Sequence, residues 1–412
     1  MNMPRLAAAL LLAALPAVGE VAFRTDFEDG SLGRVEKIDD RTYHCRVAGQ
    51  VDEHGRNRQA SWFYFRLDHL EGQPVTIVLS DFVGEYNNKP GACPMNAETI
   101  PYSSVDGVNW QPFPGMQWDD TRKEATLKIE AKGDSLWIAH VPPYPTSRLE
   151  KLLSTWSQSP IARVEAIGQT VHHRTIHLVT VTEPARGAEN KKTLWMQSRQ
   201  HAWEAGTSFV MEGALRFITS SNLAAVDLRR RFVFKFTPMV DPDGCAEGMV
   251  RFNANGYDVN RHWDEIDIRD ESLRARMPEI WQVKKAILDY HARHPIDLMI
   301  NLHNTEISEY LETEATDPDV AEKMRSFENT IKAGGLFDPS RPLVVSAVPG
   351  SSANSLYATA RVPVFLMEQR ITKSPALGRR ATTADRLLFG EKLIQALAAA
   401  AADVEKKKTN LQ

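Results

Sequence analysis

From about Val21 to Val141 apolar and polar positions alternate in short runs, such as Ser61-Trp62-Phe63-Tyr64-Phe65-Arg66-Leu67, Val75-Thr76-Ile77-Val78-Leu79 and Ser135-Leu136-Trp137-Ile138-Ala139. A period of two sends successive side chains to opposite faces, so these runs predict strands. Turn-forming segments separate them: Asp29-Gly30, Asn87-Asn88-Lys89-Pro90-Gly91 and Asp106-Gly107. This is the texture of a small antiparallel all-β sandwich with a structural or recognition role. The cluster Pro142-Pro143-Tyr144-Pro145 then breaks the pattern, and after Ser147 the residues Leu149, Leu152, Leu153 and Trp156 recur at helical spacing. The domain boundary belongs there, which assigns residues 20–145 to the sandwich.

Beyond it the period switches back and forth. Strands are expected at Thr175 to Val181, Thr193 to Gln197, Arg231 to Phe236, Asp297 to Leu302 and Val362 to Met367, and helices at about Glu204 to Ile218, Pro278 to Arg293, Pro318 to Ala333 and Thr383 to Ala402. Strands alternating with helices make an α/β domain, here residues 146–402, followed by a polar tail at 403–412. The run Lys406-Lys407-Lys408 in that tail reads as a solvated helix end. There is no internal repeat.

The first residues follow another logic. Arg5 precedes the apolar run Leu6 to Leu15, then Pro16 and the small residues Ala17-Val18-Gly19. That is a secretory leader over residues 1–19 with cleavage near Glu20, because the run is about half of the ~20 residues needed to cross a bilayer. The mature chain is therefore expected in the periplasm or outside the cell, without a membrane span. Over 412 residues, 42% hydrophobic and 25% charged, there is enough apolar surface for two cores. A net charge of -4 gives no electrostatic reason to bind nucleic acid. Of Cys45, Cys93 and Cys245, the first two share the sandwich and could form a bridge or remain buried thiols; no CxxC pair offers a thiolate metal site.

Candidate chemistry gathers where strands end. His201-Ala202-Trp203-Glu204 follows one strand and opens a helix, and His303 follows another in Asp297-Leu298-Met299-Ile300-Asn301-Leu302-His303. Alone, such a His and Glu at a helix start are more often a cap and a dipole-complementing carboxylate than ligands, and His303 alone could hydrogen-bond a neighbouring loop. Together, two histidines and one carboxylate supply three protein ligands and leave zinc a fourth position for water, the description of a catalytic site. Between them lie Arg251 and Asp258-Val259-Asn260-Arg261, whose guanidinium groups could stabilise an oxyanion or pair with a carboxylate. Glu368 ends the apolar strand before it, where desolvation could tune it for base catalysis.

The ordered set resembles the zinc metallocarboxypeptidases, and within them the cytosolic carboxypeptidase branch and its bacterial relatives. The resemblance is carried by Ser198 to Glu204 with Ser208 to Gly213, by Pro238 to Gly244, where Asp241 replaces an asparagine, by Asp258 to Arg261 with Trp263, by Asn301 to His303, by Glu368, and by the segment His140 to Thr146. It implies a mixed-sheet α/β/α peptidase domain behind the β-sandwich and one zinc ion per chain. His201, Glu204 and His303 would be ligands, Glu368 the general base, Arg251 the oxyanion partner, and Asn260 with Arg261 the grip on a substrate's terminal carboxylate. Tyr357 is the nearest counterpart by position of a tyrosine that closes over substrate. The motif departs after His303, continuing Asn304-Thr305-Glu306, and the neutral segment Gly350 to Asn354 does not carry over a preference for C-terminal glutamate.

The expected activity is hydrolysis of the last peptide bond of a peptide bearing a free C-terminal carboxylate. A zinc-dependent deacylase or amidase on small N-acyl amino acids is the alternative, since related deacylases share the HxxE and distant histidine. A non-catalytic binding protein on the same fold would have no need of a water-activating base.

Overall fold

A computed structural model describes residues 20–130, 132–184, 191–339, 342–345 and 348–409, with side chains to residue 402. The leader at 1–19 and its cleavage site lie at or beyond the edge of these residues. The N-terminal region is all β. One five-stranded sheet runs Ala22–Arg24, Tyr64–Asp68, Leu136–Ala139, Tyr102–Ser104, Gln111–Pro112; the other runs Met116–Asp119, Glu124–Ile129, Val75–Ser80, Thr42–Arg46, Val35–Lys37. Alternate residues such as Phe63, Phe65 and Leu67 on one sheet and Ile77, Leu79 and Leu127 on the other share one buried core. The expectation of a purely antiparallel sandwich is corrected at one pair, Thr42–Arg46 against Val75–Ser80, which is parallel. Cys45, Cys93 and Cys245 are all free thiols.

After the prolines and the helix Thr146–Trp156, the chain builds an eight-stranded mixed sheet in the order Ala162–Gln169, Thr175–Val181, Phe232–Thr237, Lys192–Ser198, Ile296–Thr305, Val364–Arg370, Tyr310–Thr313, Val344–Val345. The central four strands are parallel. Their near-continuous apolar sequences follow from burial on both faces: Leu194 and Met196 enter one core with the helices Ala205–Ile218 and Thr383–Thr409, while Trp195 enters the other with Pro278–His291. The first two of those helices cross at glycines. A Cβ on Gly213 would stand 2.0 Å from the Leu387 carbonyl oxygen, and one on Gly390 would stand 1.9 Å from that of Val210. The last helix runs to Thr409, so the backbone of the expected polar tail is helical for most of its length. Among the described residues no helix is long and apolar enough to cross a membrane.

The two regions share a core. Trp62 and Tyr64 of the β region pack in the same cluster as Tyr144, Phe209 and Trp203. At this junction His140 lies fully buried, its Nδ1 2.5 Å from the Ser61 carbonyl oxygen and its ring between Phe63 and Trp203. Burial drives its pKa from the ordinary 6.5 down to about 4. Between those values the unfolded chain binds a proton that the folded chain refuses, so stability falls as pH drops through that interval. The urea midpoint should therefore fall more steeply from pH 7 to pH 4 in the wild type than in His140→Phe; equal slopes would exclude a contribution from His140.

Candidate metal centre and active site

The carboxyl ends of the parallel strands deliver the site, as open α/β sheets generally do. After the strand Lys192–Ser198 the chain turns through Arg199, whose left-handed φ of 56° is costly for a residue with a side chain. Hydrogen bonds from Val240 N to Ser198 O and from Asp241 N to Arg199 O hold that turn at 3.2 and 3.0 Å. It presents His201 and leaves Glu204 as the N-cap of the helix Ala205–Ile218. His303 lies inside the strand Ile296–Thr305 rather than beyond its end, because pairing with Val364–Arg370 continues to Thr305. In that pairing His303 and Glu368 are direct register partners.

His201 Nδ1 stands 2.8 Å from Glu204 Oε1, and His303 Nδ1 stands 3.0 Å from Glu204 Oε2. The three residues are buried and offer ligand atoms all within 4.8 Å of one another. Burial opposes the charge on Glu204, but the facing His303 and His201 outweigh it and hold its carboxyl at about 2. Glu204 Oε2 nevertheless lacks a hydrogen bond of good geometry. Two imidazole nitrogens and a buried carboxylate with spare acceptor capacity fit a divalent cation, and this N,N,O set with an open side fits zinc. A second cluster, His172, Asp243 and Glu247, already holds the Arg174 guanidinium at 2.9 Å from Asp243 and 2.6 Å from Glu247.

The other residues singled out from the sequence, Arg251, Asn260, Arg261 and Glu368, line the same cavity of about 440 Å³ as the triad. Asp258 ties them together, and sequence reasoning quoted it without giving it a part. Its Oδ1 lies 3.1 Å from His201 Nε2 and accepts from Asn260 N at 2.9 Å, while its Oδ2 accepts from Arg251 Nε at 2.6 Å. Burial opposes its charge, yet Arg251 keeps it well below the usual carboxylate range. A carboxylate on the far nitrogen of a ligand histidine fixes the ring's tautomer and direction. Its place beside the Asn-Arg pair was the signal that could have found it. The Asn260 side chain accepts from Ser352 N at 3.0 Å and sets its Nδ2 3.4 Å from His303 Nε2. Arg261 donates to the Asn260 carbonyl oxygen at 2.7 Å and lines the cavity. Burial and the nearby Glu204 carboxylate push Glu368 well above its ordinary range, against the pull of Arg251.

Tyr357 does not reach the cavity. Its hydroxyl accepts from Thr316 N and Asp317 N at 3.1 and 3.2 Å, at the start of the helix Pro318–Ala333, and Tyr310 lines the cavity instead. The departure after His303 places Glu306 in the wall, where burial pushes its carboxyl up to about 7 beside Ser61. Ser61, Cys93 and Pro94 show that the β region forms part of that wall.

Comparison with known proteins bears on the fold of both regions. Residues 150–333 match a zinc carboxypeptidase family model, and residues 23–140 match that of the cytosolic carboxypeptidase N-terminal domain. Cytosolic carboxypeptidase 6 of Mus musculus is 29% identical over 305 residues, 70% of this chain and 54% of the relative; cytosolic carboxypeptidase 3 of Bos taurus is 24% identical over 302 residues, 68% of this chain and 29% of the relative. The chain thus spans less than two thirds of the length of these curated relatives. The solved metallo-carboxypeptidase from Burkholderia cenocepacia has the same fold, with a TM-score of 0.80 at 21% identity over 93% of this chain and 99% of that one. The metallo-carboxypeptidase from Pseudomonas aeruginosa in complex with (2-guanidinoethylmercapto)succinic acid gives 0.76 at 21% identity over 93% and 100%.

Elemental analysis should find close to one zinc per chain, lost in His201→Ala, Glu204→Ala and His303→Ala. Asp258→Asn should retain the fold and weaken zinc affinity by about 10- to 100-fold, measured by chelator competition. Full zinc in all three ligand variants would remove the assignment.

Proposed function

We propose that the chain, whose residues 150–333 match the zinc carboxypeptidase model, is a zinc-dependent metallocarboxypeptidase releasing the last residue of a peptide with a free C-terminal carboxylate. The observation that carries this reading is one cavity holding a three-ligand metal set, a carboxylic base candidate and two arginines at different depths of hydrogen bonding. Zinc bound by His201, Glu204 and His303 would supply a Lewis acid that polarises the scissile carbonyl and lowers the pKa of water. Arg261 and Asn260 hold the substrate's terminal carboxylate through charge-assisted hydrogen bonds, which sets the scissile carbonyl before Glu368 and Arg251. Glu368 takes a proton from the attacking water and returns it to the leaving amine. Arg251, braced through Nε by Asp258, keeps its terminal nitrogens for the developing oxyanion.

The named carboxypeptidases among the relatives favour this reading over the deacylase. Export rests on the leader pattern at residues 1–19. N-terminal sequencing of protein recovered from the periplasm or medium tests it, with a start near Glu20 expected.

Glu368→Gln should keep fold and zinc and lose about 10²- to 10⁴-fold in turnover, since the amide cannot accept the proton; a variant with a third of wild-type activity would make Glu368 structural. Arg261→Ala should cost on the order of 2–5 kcal/mol in kcat/KM, because a desolvated carboxylate is left unpaired. Amidating the peptide's C terminus should impair the wild type strongly and this variant much less. Equal cleavage of free and amidated peptides by the wild type would exclude a carboxypeptidase.

A further inference from the structure

We propose that Gln50, a residue of the N-terminal β region, positions Arg251 for catalysis by holding the backbone of residues 250–252. The Gln50 Oε1 accepts three consecutive backbone N–H groups, from Val250, Arg251 and Phe252, at 3.0, 2.7 and 2.8 Å, and its Nε2 donates to the Phe252 carbonyl oxygen at 2.6 Å. Arg251 belongs to no helix or named strand, and the isolated bridge of Phe252 with Asp258 leaves these three donors to other partners. A single amide from 200 residues away in sequence satisfies them. Backbone donors in a half-buried segment must be paired, and three of them converging on one oxygen fix the direction of the chain between them.

Both ends of this contact are anchored. On the β side, Gln50 stands in the short strand Gln50–Val51, next to the strand Arg58–Gln59. The Arg58 guanidinium there donates to the carbonyl oxygens of Val47, Ala48, Asp81 and Val83 and so locks the loops around Gln50. On the peptidase side, Trp203 N donates to the Val250 carbonyl oxygen at 3.1 Å, which joins the same segment to the turn between His201 and Glu204. The Arg251 side chain then has its Nε fixed on Asp258. Gln50 sets the backbone from which that side chain departs, and Asp258 sets its orientation. Neighbouring contacts run the same way: Asp29 N donates to the Ala246 carbonyl oxygen at 2.8 Å, and Glu53 N to that of Gly256 at 3.1 Å. The β region thereby supplies part of the catalytic geometry, beyond walling the cavity.

This inference rests on the reading of Arg251 as the oxyanion partner. It is tested in the full-length zinc-loaded chain with Gln50→Met, which keeps the length of the side chain and removes its acceptor and donors, and with Gln50→Ala. On N-acylated dipeptides with free C-terminal carboxylates, both variants should lose about 10- to 100-fold in kcat, with KM changed less than about threefold, because a displaced oxyanion partner acts in the transition state. Zinc content should be unchanged. In an Arg251→Ala background, adding Gln50→Met should change kcat less than about twofold, a non-additivity that a merely structural residue would not show. Amide exchange at Val250, Arg251 and Phe252 should accelerate selectively in Gln50→Met. Unchanged protection of these three amides, kcat within twofold of wild type, or full additivity with Arg251→Ala each overturns the proposal. A wild-type chain that hydrolyses no peptide overturns the carboxypeptidase reading instead, and the exchange data then decide separately whether Gln50 holds the segment.

Discussion

Burying a carboxylate between two imidazoles is the constraint on which the rest of the structure depends. Glu204 is 2% exposed, and an ionised group so far from water survives only if its surroundings replace the hydration it has lost. His201 and His303 supply part of that replacement and create the demand for a cation that would supply the remainder. Polar pairing then continues outward from the triad. Asp258 answers His201 and Arg251, and Arg251 in turn faces Glu368, whose carboxyl is pushed the other way by the same burial. A site assembled from opposite charges in a low dielectric is stiff, since moving any member exposes its neighbours to an unpaid desolvation cost. Stiffness of that kind is what orientation of a small peptide end requires.

That stiffness is purchased across the boundary between the two halves of the chain. Trp62 and Tyr64 sink into the peptidase core, His140 lies against Trp203, and backbone groups of Ala246, Val250, Arg251, Phe252 and Gly256 find partners on the β region. The β sandwich has its own core of alternating residues, so it is a folding unit in the ordinary sense. Its polar loops are nevertheless committed to the other half.

How much of this could be read from the sequence depends on the distance over which the cause acts. The apolar runs Thr193 to Gln197, Asp297 to Leu302 and Val362 to Met367 are a local signal, and they led to His201, His303 and Glu368, which line one cavity. The edge strand Ala162–Gln169 was missed because it is half exposed along most of its length and shows neither period cleanly. The helix Ser352–Ala360 was passed over as a small, neutral segment, although Ser351 caps it and Ser352 N holds Asn260. Position alone nominated Tyr357, and position alone cannot say which way a side chain faces. Gln50 had no local signature of any kind, since its role exists only through contacts two hundred residues away.

The pairing of His303 with Glu368 works as a ruler. Neighbouring parallel strands lie about 4.8 Å apart wherever they occur, and paired residues project from the same face. The Cα separation of His303 from Glu368 is therefore a property of the sheet's hydrogen bonds, and only the rotamers of the two side chains add to it. Errors in it are quantised: a slip by one residue would turn Glu368 to the opposite face altogether, and nothing in between is available to the backbone. Substitutions elsewhere in these strands can loosen or tighten the domain while leaving that distance intact, so the spacing can outlast extensive drift in sequence.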